Sequence, residues 1–212
     1  MNQLKTIVFA ATLAAILLAL TGAGTASATV LCKTTTTPCE GVYQAGTVAE
    51  AVARPGTSAK ITYASTTTSC KGSTLALKTT NSGSSVETVL ATFSSLTFSE
   101  CTCSTGATPI VKVLETGSVE IHYLSGTDNG TLTSRGLKLT VNCSSAGSTC
   151  VFSTPEWLDA GELKGGPEPV LAVNLSLVWT EGDGSFGLCG EKIIWEGEYL
   201  ASKPSPLYVR AS

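Results

Sequence analysis

The sequence predicts an all-β fold, an antiparallel β-sandwich or flattened barrel stapled by disulfides. Apolar side chains recur at every second position in several segments, as in strands that bury one face. No segment beyond the first 28 residues shows the three- and four-residue apolar spacing of an amphipathic helix. The 212-residue chain also carries 8 cysteines and 21 glycines. This composition favours short strands joined by tight turns and cystines.

The first 28 residues contain the parts of an export signal in the expected order. Lys5 supplies a positive charge, an apolar run extends from Ile7 to Leu20, and the small residues Ala26-Ser27-Ala28 follow. The apolar run is shorter than the roughly 20 residues that span a bilayer. We therefore predict a signal peptide over residues 1–28 and a single secreted β domain over residues 29–212.

Membrane attachment and nucleic-acid binding are both unexpected. A lipoprotein signal places small residues directly before the modified cysteine, whereas Val30-Leu31 precede Cys32, and segment 203–212 has no apolar tail. Only 14% of residues are charged, the net charge is −3, and no basic run occurs. Without a basic surface, phosphate neutralisation cannot drive binding. We predict an extracellular protein with no stable membrane anchor and no nucleic-acid partner.

The predicted strands follow the alternation of apolar side chains and are separated by turns rich in glycine, asparagine and aspartate. The clearest alternation covers 119–123, 137–141 and 171–179. Within 86–98 the apolar residues change parity, so we predict a β-bulge near Ser94-Ser95. The predicted strands are 42–53, 59–65, 73–79, 87–99, 109–114, 118–124, 131–141, 150–154, 169–180, 191–200 and 206–210.

The segment 29–66 has a weaker pattern than the rest of the chain. Cys32 and Cys39 enclose a threonine-rich loop that ends in Pro38, and 48–53 fits either a strand or a short helix. We assign this segment to the same domain. A disulfide-clipped N-terminal extension is the alternative.

The cysteines all follow the predicted cleavage site, and an even number in an exported chain indicates cystines. Zinc is the competing use, but Cys101-x-Cys103 is too tight for the usual ligand arm and His122 is the single histidine. We predict no metal and no cofactor. The favoured pairs are Cys32–Cys39 and Cys70–Cys101, then Cys103–Cys143 with Cys150–Cys189. Cys103–Cys189 with Cys143–Cys150 is the alternative for the last four.

No catalytic residue is predicted. His122 falls on the polar parity of its strand, and no Gly-x-Ser-x-Gly elbow accompanies it. Paired carboxylates can hydrolyse glycosides without a histidine. The acidic candidates lie in turns or on the wet parity of a strand, so we interpret them as solvated. These candidates are Glu181, Asp183, Glu191, Glu196 and Glu198.

The three tryptophans raise the question of sugar stacking, because aromatic platforms on β-proteins bind glycans. Trp179 and Trp195 share the apolar parity of their strands, which predicts core positions. Trp157 lies in the turn-like segment 154–158 and is the one side chain predicted as a possible ligand contact.

Several short segments carry a resemblance to known sequences: Leu96–Cys101, Gly117–Tyr123, Gly126–Thr131, Cys150–Phe152 and Pro204–Val209, with Trp195 and Tyr199. Over roughly residues 70–209 the chain resembles a set of secreted, functionally uncharacterised β-rich proteins of actinobacteria. The resemblance implies export from a high-GC bacterium. It implies no activity and no site residue.

We therefore expect a non-enzymatic extracellular or cell-surface protein with an interaction or structural role. Its partner would be a cell-wall glycan or an extracellular protein. A carbohydrate-binding module is one alternative and predicts an exposed Trp157 beside another aromatic side chain. A carboxylate-dependent secreted hydrolase is the other and predicts two acidic side chains about 5–9.5 Å apart across a cleft.

Overall fold

Alternating apolar residues make β-strand the main secondary structure of the computed structural model, which describes residues 28–63, 65–143, 150–182 and 189–212. The all-β prediction is confirmed. Within the described ranges the strands are β1 (Val30–Cys32), β2 (Val48–Ala53), β3 (Ala59–Tyr63), β4 (Thr66–Thr79), β5 (Val89–Cys103), β6 (Ile110–Glu115), β7 (Ser118–Tyr123), β8 (Gly130–Arg135), β9 (Lys138–Asn142), β10 (Cys150–Ser153), β11 (Leu158–Lys164), β12 (Val170–Gly182), β13 (Lys192–Lys203) and β14 (Tyr208–Arg210).

Antiparallel pairing closes the main sheet into a ring. The order β13–β3–β4–β5–β7–β8–β11–β12 ends with β12 paired back to β13. This circuit corresponds to the flattened barrel among the two predicted arrangements. The strands β10, β9 and β6 continue outward from β12 in that order, and β2 also pairs with both β13 and β4.

The wall of the barrel combines long strands with pairs of short strands that share one position in the sheet. The strands β4, β5, β12 and β13 contain 12 to 15 residues each. Between them, short strands lie end to end and share the same long neighbours. For example, β2 and β3 both pair with β4 and β13, at successive stretches of each. The wall is therefore interrupted wherever two short strands meet.

Gly136 divides the predicted strand 131–141 into two strands, β8 and β9. Its φ is +77°, a conformation that favours glycine, and the inward parity changes from Leu132 to Leu137 across it. The break is closed by Thr154, whose carbonyl accepts the Gly136 N–H (2.7 Å) and whose hydroxyl accepts the Leu137 N–H (3.0 Å). The single-strand prediction was wrong because the buried residues change parity at this glycine.

The β-bulge predicted near Ser94-Ser95 is confirmed. Across β4 and β5, Ala76 pairs with Ser95 and Leu77 with Phe93, so one residue of β5 is skipped. The skip turns Phe93 and Leu96 to the same interior side, where both are buried.

The first and last strands pair with each other at one end of the barrel. In β1 and β14, Leu31 lies opposite Val209, and both are buried. Just before β1, the Thr29 hydroxyl accepts the Tyr123 N–H at 2.8 Å. The sequence did not predict β1, because three residues are too few to show a period. The chain from 29 to 66 thus supplies strands to both sheets.

Four disulfides pair the cysteines as favoured from the sequence: Cys32–Cys39, Cys70–Cys101, Cys103–Cys143 and Cys150–Cys189. The Cys70–Cys101 bridge joins directly opposed residues of β4 and β5. No cysteine is free. A cysteine nucleophile would therefore require reduction of one of these bridges.

Candidate functional site

A polar groove of about 960 Å³ lies where β2 ends and β3 begins. Because residues 54–58 leave the wall here, β4 and β13 lack a strand between them at this level. The groove is open to solvent and spans the outer surface from β13 across to β5. Its charged lining residues are Arg54, Lys60, Lys71, Glu196 and Glu198.

A tight turn from Arg54 to Thr57 forms one rim of the groove. Pro55 and Gly56 occupy its central positions, Gly56 has a φ of +81°, and the Thr57 N–H donates to the Arg54 carbonyl at 3.0 Å. This combination is typical of a type II turn. The turn is tied to β13, because the Arg54 N–H donates to the Glu198 carbonyl (2.8 Å) and Arg54 Nη1 lies 3.0 Å from Glu198 Oε2.

Charged side chains of both signs line the groove. Lys60 on β3 and Lys71 on β4 are exposed cations, while β13 presents Glu196 and Glu198. Glu198 is neutralised by Arg54. Within the described residues, Lys60, Lys71 and Glu196 form no ion pair, although Lys60 and Glu196 are opposed across the β3–β13 ladder. The groove therefore offers two cations and one carboxylate to a ligand.

Backbone distortion adjoins the groove at Glu100 on β5. Among the described residues it is the one non-glycine residue with positive φ, +50°. The β4–β5 ladder passes from Cys70–Cys101 to Gly72–Ser99, so Lys71 and Glu100 are not a regular pair. A non-glycine residue other than asparagine or aspartate rarely adopts this conformation, and such outliers cluster at functional sites.

Hydroxyl and main-chain groups supply further hydrogen-bonding capacity. Ser69 and Thr102 line the groove as opposed residues of β4 and β5. On β4, the ladder to β3 ends at Cys70 and the ladder to β2 begins at Thr74. The main chain between these residues therefore borders the groove without a neighbouring strand on that side.

The floor of the groove covers a buried cluster of polar and aromatic side chains. Gly197 faces inward, and a Cβ there would lie 3.0 Å from the Tyr199 ring. Trp195 and Tyr199 are fully buried, and the Phe98 ring meets Trp195 edge-on at 5.5 Å between centroids. Burial raises the pKa of Tyr199 above its usual value, while its hydrogen bonds with Ser73 and Trp195 partly oppose the increase. This cluster fixes β13 behind the groove.

Trp157 lies outside the groove, at the break between β10 and β11. It is half-buried, and the guanidinium carbon of Arg135 lies 4.8 Å from the centre of its ring. This cation–π contact occupies one face of the indole. Of the other tryptophans, Trp195 is core as predicted, whereas Trp179 is only partly buried against the core.

His122 lies on the outward face of β7, with 32% of its side chain exposed. Its Nε2 is 3.4 Å from Glu120 Oε2. The pair is a surface interaction between two residues of one face. This position agrees with the predicted solvated histidine.

The acidic candidates do not gather into one site. Lys138 contacts Glu181, and this hydrogen bond raises the pKa of the lysine. Glu191 is exposed and Asp183 lies outside the described residues. Glu196 and Glu198 border the groove on the outward face of β13, opposite the buried Trp195 and Tyr199, as their parity predicts.

The groove was not predicted from the sequence. The Pro55-Gly56 dipeptide was an available signal for a turn. Nothing local, however, indicates that this turn meets Glu198, which is 144 residues away in the chain.

No protein-family model matches this sequence, and neither a curated protein nor a solved structure shows significant similarity to it. In the described ranges, no helix is long and apolar enough to cross a membrane. The same ranges contain no group of three or more histidine, cysteine, aspartate or glutamate side chains placed to hold a metal ion.

Proposed function

We propose that this chain is an exported, non-enzymatic binding module that acts outside the cell, and that the polar groove is its ligand site. The observation that carries the proposal is the groove at the β2–β3 break, with unpaired charges on both sides. The export signal predicted over residues 1–28 and the four disulfides support an extracellular location.

Binding is favoured over hydrolysis by the placement of the two carboxylates. A glycosidase positions its two carboxyl groups on opposite sides of the scissile bond. Glu196 and Glu198 instead project from the same strand, so they lie on one side of the groove. Glu198 is also engaged by Arg54. This geometry suits the recognition of a ligand better than the protonation of a leaving group.

The ligand we propose is a charged cell-wall glycan held by hydrogen bonds and ion pairs. None of the described residues that line the groove is aromatic, so we do not propose stacking on a sugar ring as the mode of recognition. Lys60 and Lys71 suit acidic groups of the ligand, and Glu196 suits an amino group. Ser69 and Thr102 add hydroxyl contacts.

The test is co-sedimentation of the purified chain with insoluble acidic cell-wall polysaccharide. Replacing both Lys60 and Lys71 by alanine should weaken binding about tenfold or more, because each removes a hydrogen bond to a charged group. The matched control replaces Lys112 and Lys164, exposed lysines on β6 and β11, and should bind like the wild type.

Three results would contradict the proposal. Equal loss of binding in both double variants would show that the polysaccharide is attracted to exposed lysines in general and not to the groove. Failure of the wild type to sediment would exclude the ligand class. Release of soluble fragments from the polysaccharide, abolished in Glu196→Gln, would show that the chain is an enzyme.

A further inference from the structure

The threonine-rich loop between Cys32 and Cys39 is presented to solvent at the end of the barrel closed by β1 and β14. Its sequence is Lys33-Thr34-Thr35-Thr36-Thr37-Pro38, and residues 35–38 are all exposed. The disulfide fixes both ends of the loop, and the Lys33 N–H donates to the Gly41 carbonyl at 3.1 Å. A compact clip therefore displays four consecutive hydroxyl-bearing residues.

The four hydroxyls differ in their hydrogen bonds. Thr34 donates to the Glu40 carbonyl (2.8 Å), and its oxygen lies 2.8 Å from that of Thr36, which also accepts the Glu40 N–H (3.2 Å). Thr37 accepts a hydrogen bond from Arg210 Nη2 at 2.8 Å. Thr35 makes no hydrogen bond through its hydroxyl in the described structure. Its Oγ1 is thus the one hydroxyl of the four that no other group of the described structure engages.

Threonines in the paired strands are presented differently. Thr74 and Thr97, for example, face each other across β4 and β5 with their hydroxyl oxygens 2.7 Å apart. Both belong to paired strands, so a modifying enzyme cannot draw their backbone into a cleft without opening the sheet. Thr35 belongs to no strand, and its backbone is open to a modifying enzyme.

We infer that Thr35 is an O-glycosylation site. Clusters of threonine beside proline are typical acceptors for O-linked sugars in exported proteins. In the transfer, Thr35 Oγ1 attacks the anomeric carbon of a phosphate-activated sugar. The bond from that carbon to the phosphate oxygen breaks, the phosphate carrier leaves, and a base of the transferase takes the hydroxyl proton. This inference rests on the export part of the proposed function.

The experiment is intact-mass and peptide analysis of the chain recovered from the culture medium of the cell that encodes it. After reduction and trypsin digestion, hexose-sized mass increments should map to the peptide that follows Lys33. Thr35→Ala should remove the increment assigned to Thr35, whereas Thr35→Ser should retain it. Thr74→Ala, at a paired position, should leave the pattern unchanged.

The outcomes distinguish a failure of the glycosylation site from a failure of the export on which it rests. An unmodified chain in the medium would overturn the glycosylation site alone and leave export and ligand binding intact. An increment that persists unchanged in Thr35→Ala would also overturn it. A chain that never reaches the medium would contradict export, and the site would fall with it.

Discussion

Trp195 donates its indole N–H to the Tyr199 hydroxyl at 3.1 Å, in the core directly behind the groove. The Tyr199 oxygen lies 2.9 Å from Ser73 Oγ, and Ser73 donates to the Thr97 carbonyl at 3.0 Å. Because the one Ser73 proton is used in that bond, Tyr199 must donate to Ser73. The result is a relay with a single orientation that joins β13 to β4 and β5.

Replacing Tyr199 by phenylalanine should destabilise the fold by about 2–3 kcal/mol, because it leaves the buried Trp195 N–H without an acceptor and the Ser73 oxygen without its donor. Urea unfolding with the disulfides intact measures the change. Tyr208→Phe is the control, since the Tyr208 hydroxyl has no hydrogen-bond partner in the described structure, and should change stability by under about 0.5 kcal/mol. Equal stability of Tyr199→Phe and wild type would show that the relay contributes nothing.

Alkaline pH should weaken the fold through Tyr199. Burial holds its pKa above the ordinary value of about 10. A pKa raised in the folded state means that the folded chain retains the proton when the unfolded chain loses it. The resulting stability is therefore present below about pH 10 and is lost as the pH rises through the folded-state pKa.

The urea midpoint measured from about pH 8 to pH 11 tests this dependence. Burial also raises the pKa of Tyr63 and Tyr43, so part of the decline should remain in Tyr199→Phe. The variant should nevertheless show a shallower decline than the wild type. Parallel curves would mean that Tyr199 titrates alike in both states.

Local patterns predicted those parts of the fold that a single strand determines. The bulge in β5 was predictable because two apolar parities meet at Ser94, and the burial of Trp195 followed from its parity. The same signal failed for β11. There the register skips between Asp159 and Gly161, and Gly161 has a φ of +125°, so its apolar residues show no period of two.

The groove could not be predicted because its parts come from distant segments. Lys60 and Lys71 lie on consecutive strands of the chain, but Glu196 reaches the same groove only after the ring of strands has closed. The order of strands in that ring depends on long-range pairing. No periodicity in one segment contains that information.

Gly117 should tolerate no side chain. A Cβ at this position would lie 2.3 Å from the Arg135 carbonyl oxygen and 2.4 Å from the Leu137 nitrogen. Both are backbone atoms at the break between β8 and β9, on either side of Gly136. Neither can move without separating β7 from β8. Gly117→Ala should therefore destabilise the chain by about 1–3 kcal/mol or prevent folding.

Gly106→Ala is the matched control for Gly117→Ala. Gly106 has a φ of +77°, but a Cβ there meets no atom within 4 Å. Its substitution should cost only about 1–2 kcal/mol of left-handed strain. Thermal and urea unfolding of both variants measure the difference. If Gly117→Ala proved the milder change, Gly117 would lie farther from the backbone of residues 135–137 than the structure shows.

The disulfides should differ in their contribution to stability according to the length of chain they enclose. Cys103–Cys143 closes a sequence separation of 40 and Cys32–Cys39 a separation of 7. Loop-closure entropy gives about 4 kcal/mol for the longer loop and about 2.5 kcal/mol for the shorter one. Replacing both cysteines of each pair by alanine and measuring urea unfolding without reductant tests this order. All four cysteines are at least half-buried, so the lost sulfur contacts are similar in kind. A larger loss from the Cys32–Cys39 pair would show that the bridge stabilises the β1–β14 end through native contacts, because chain entropy predicts the reverse order.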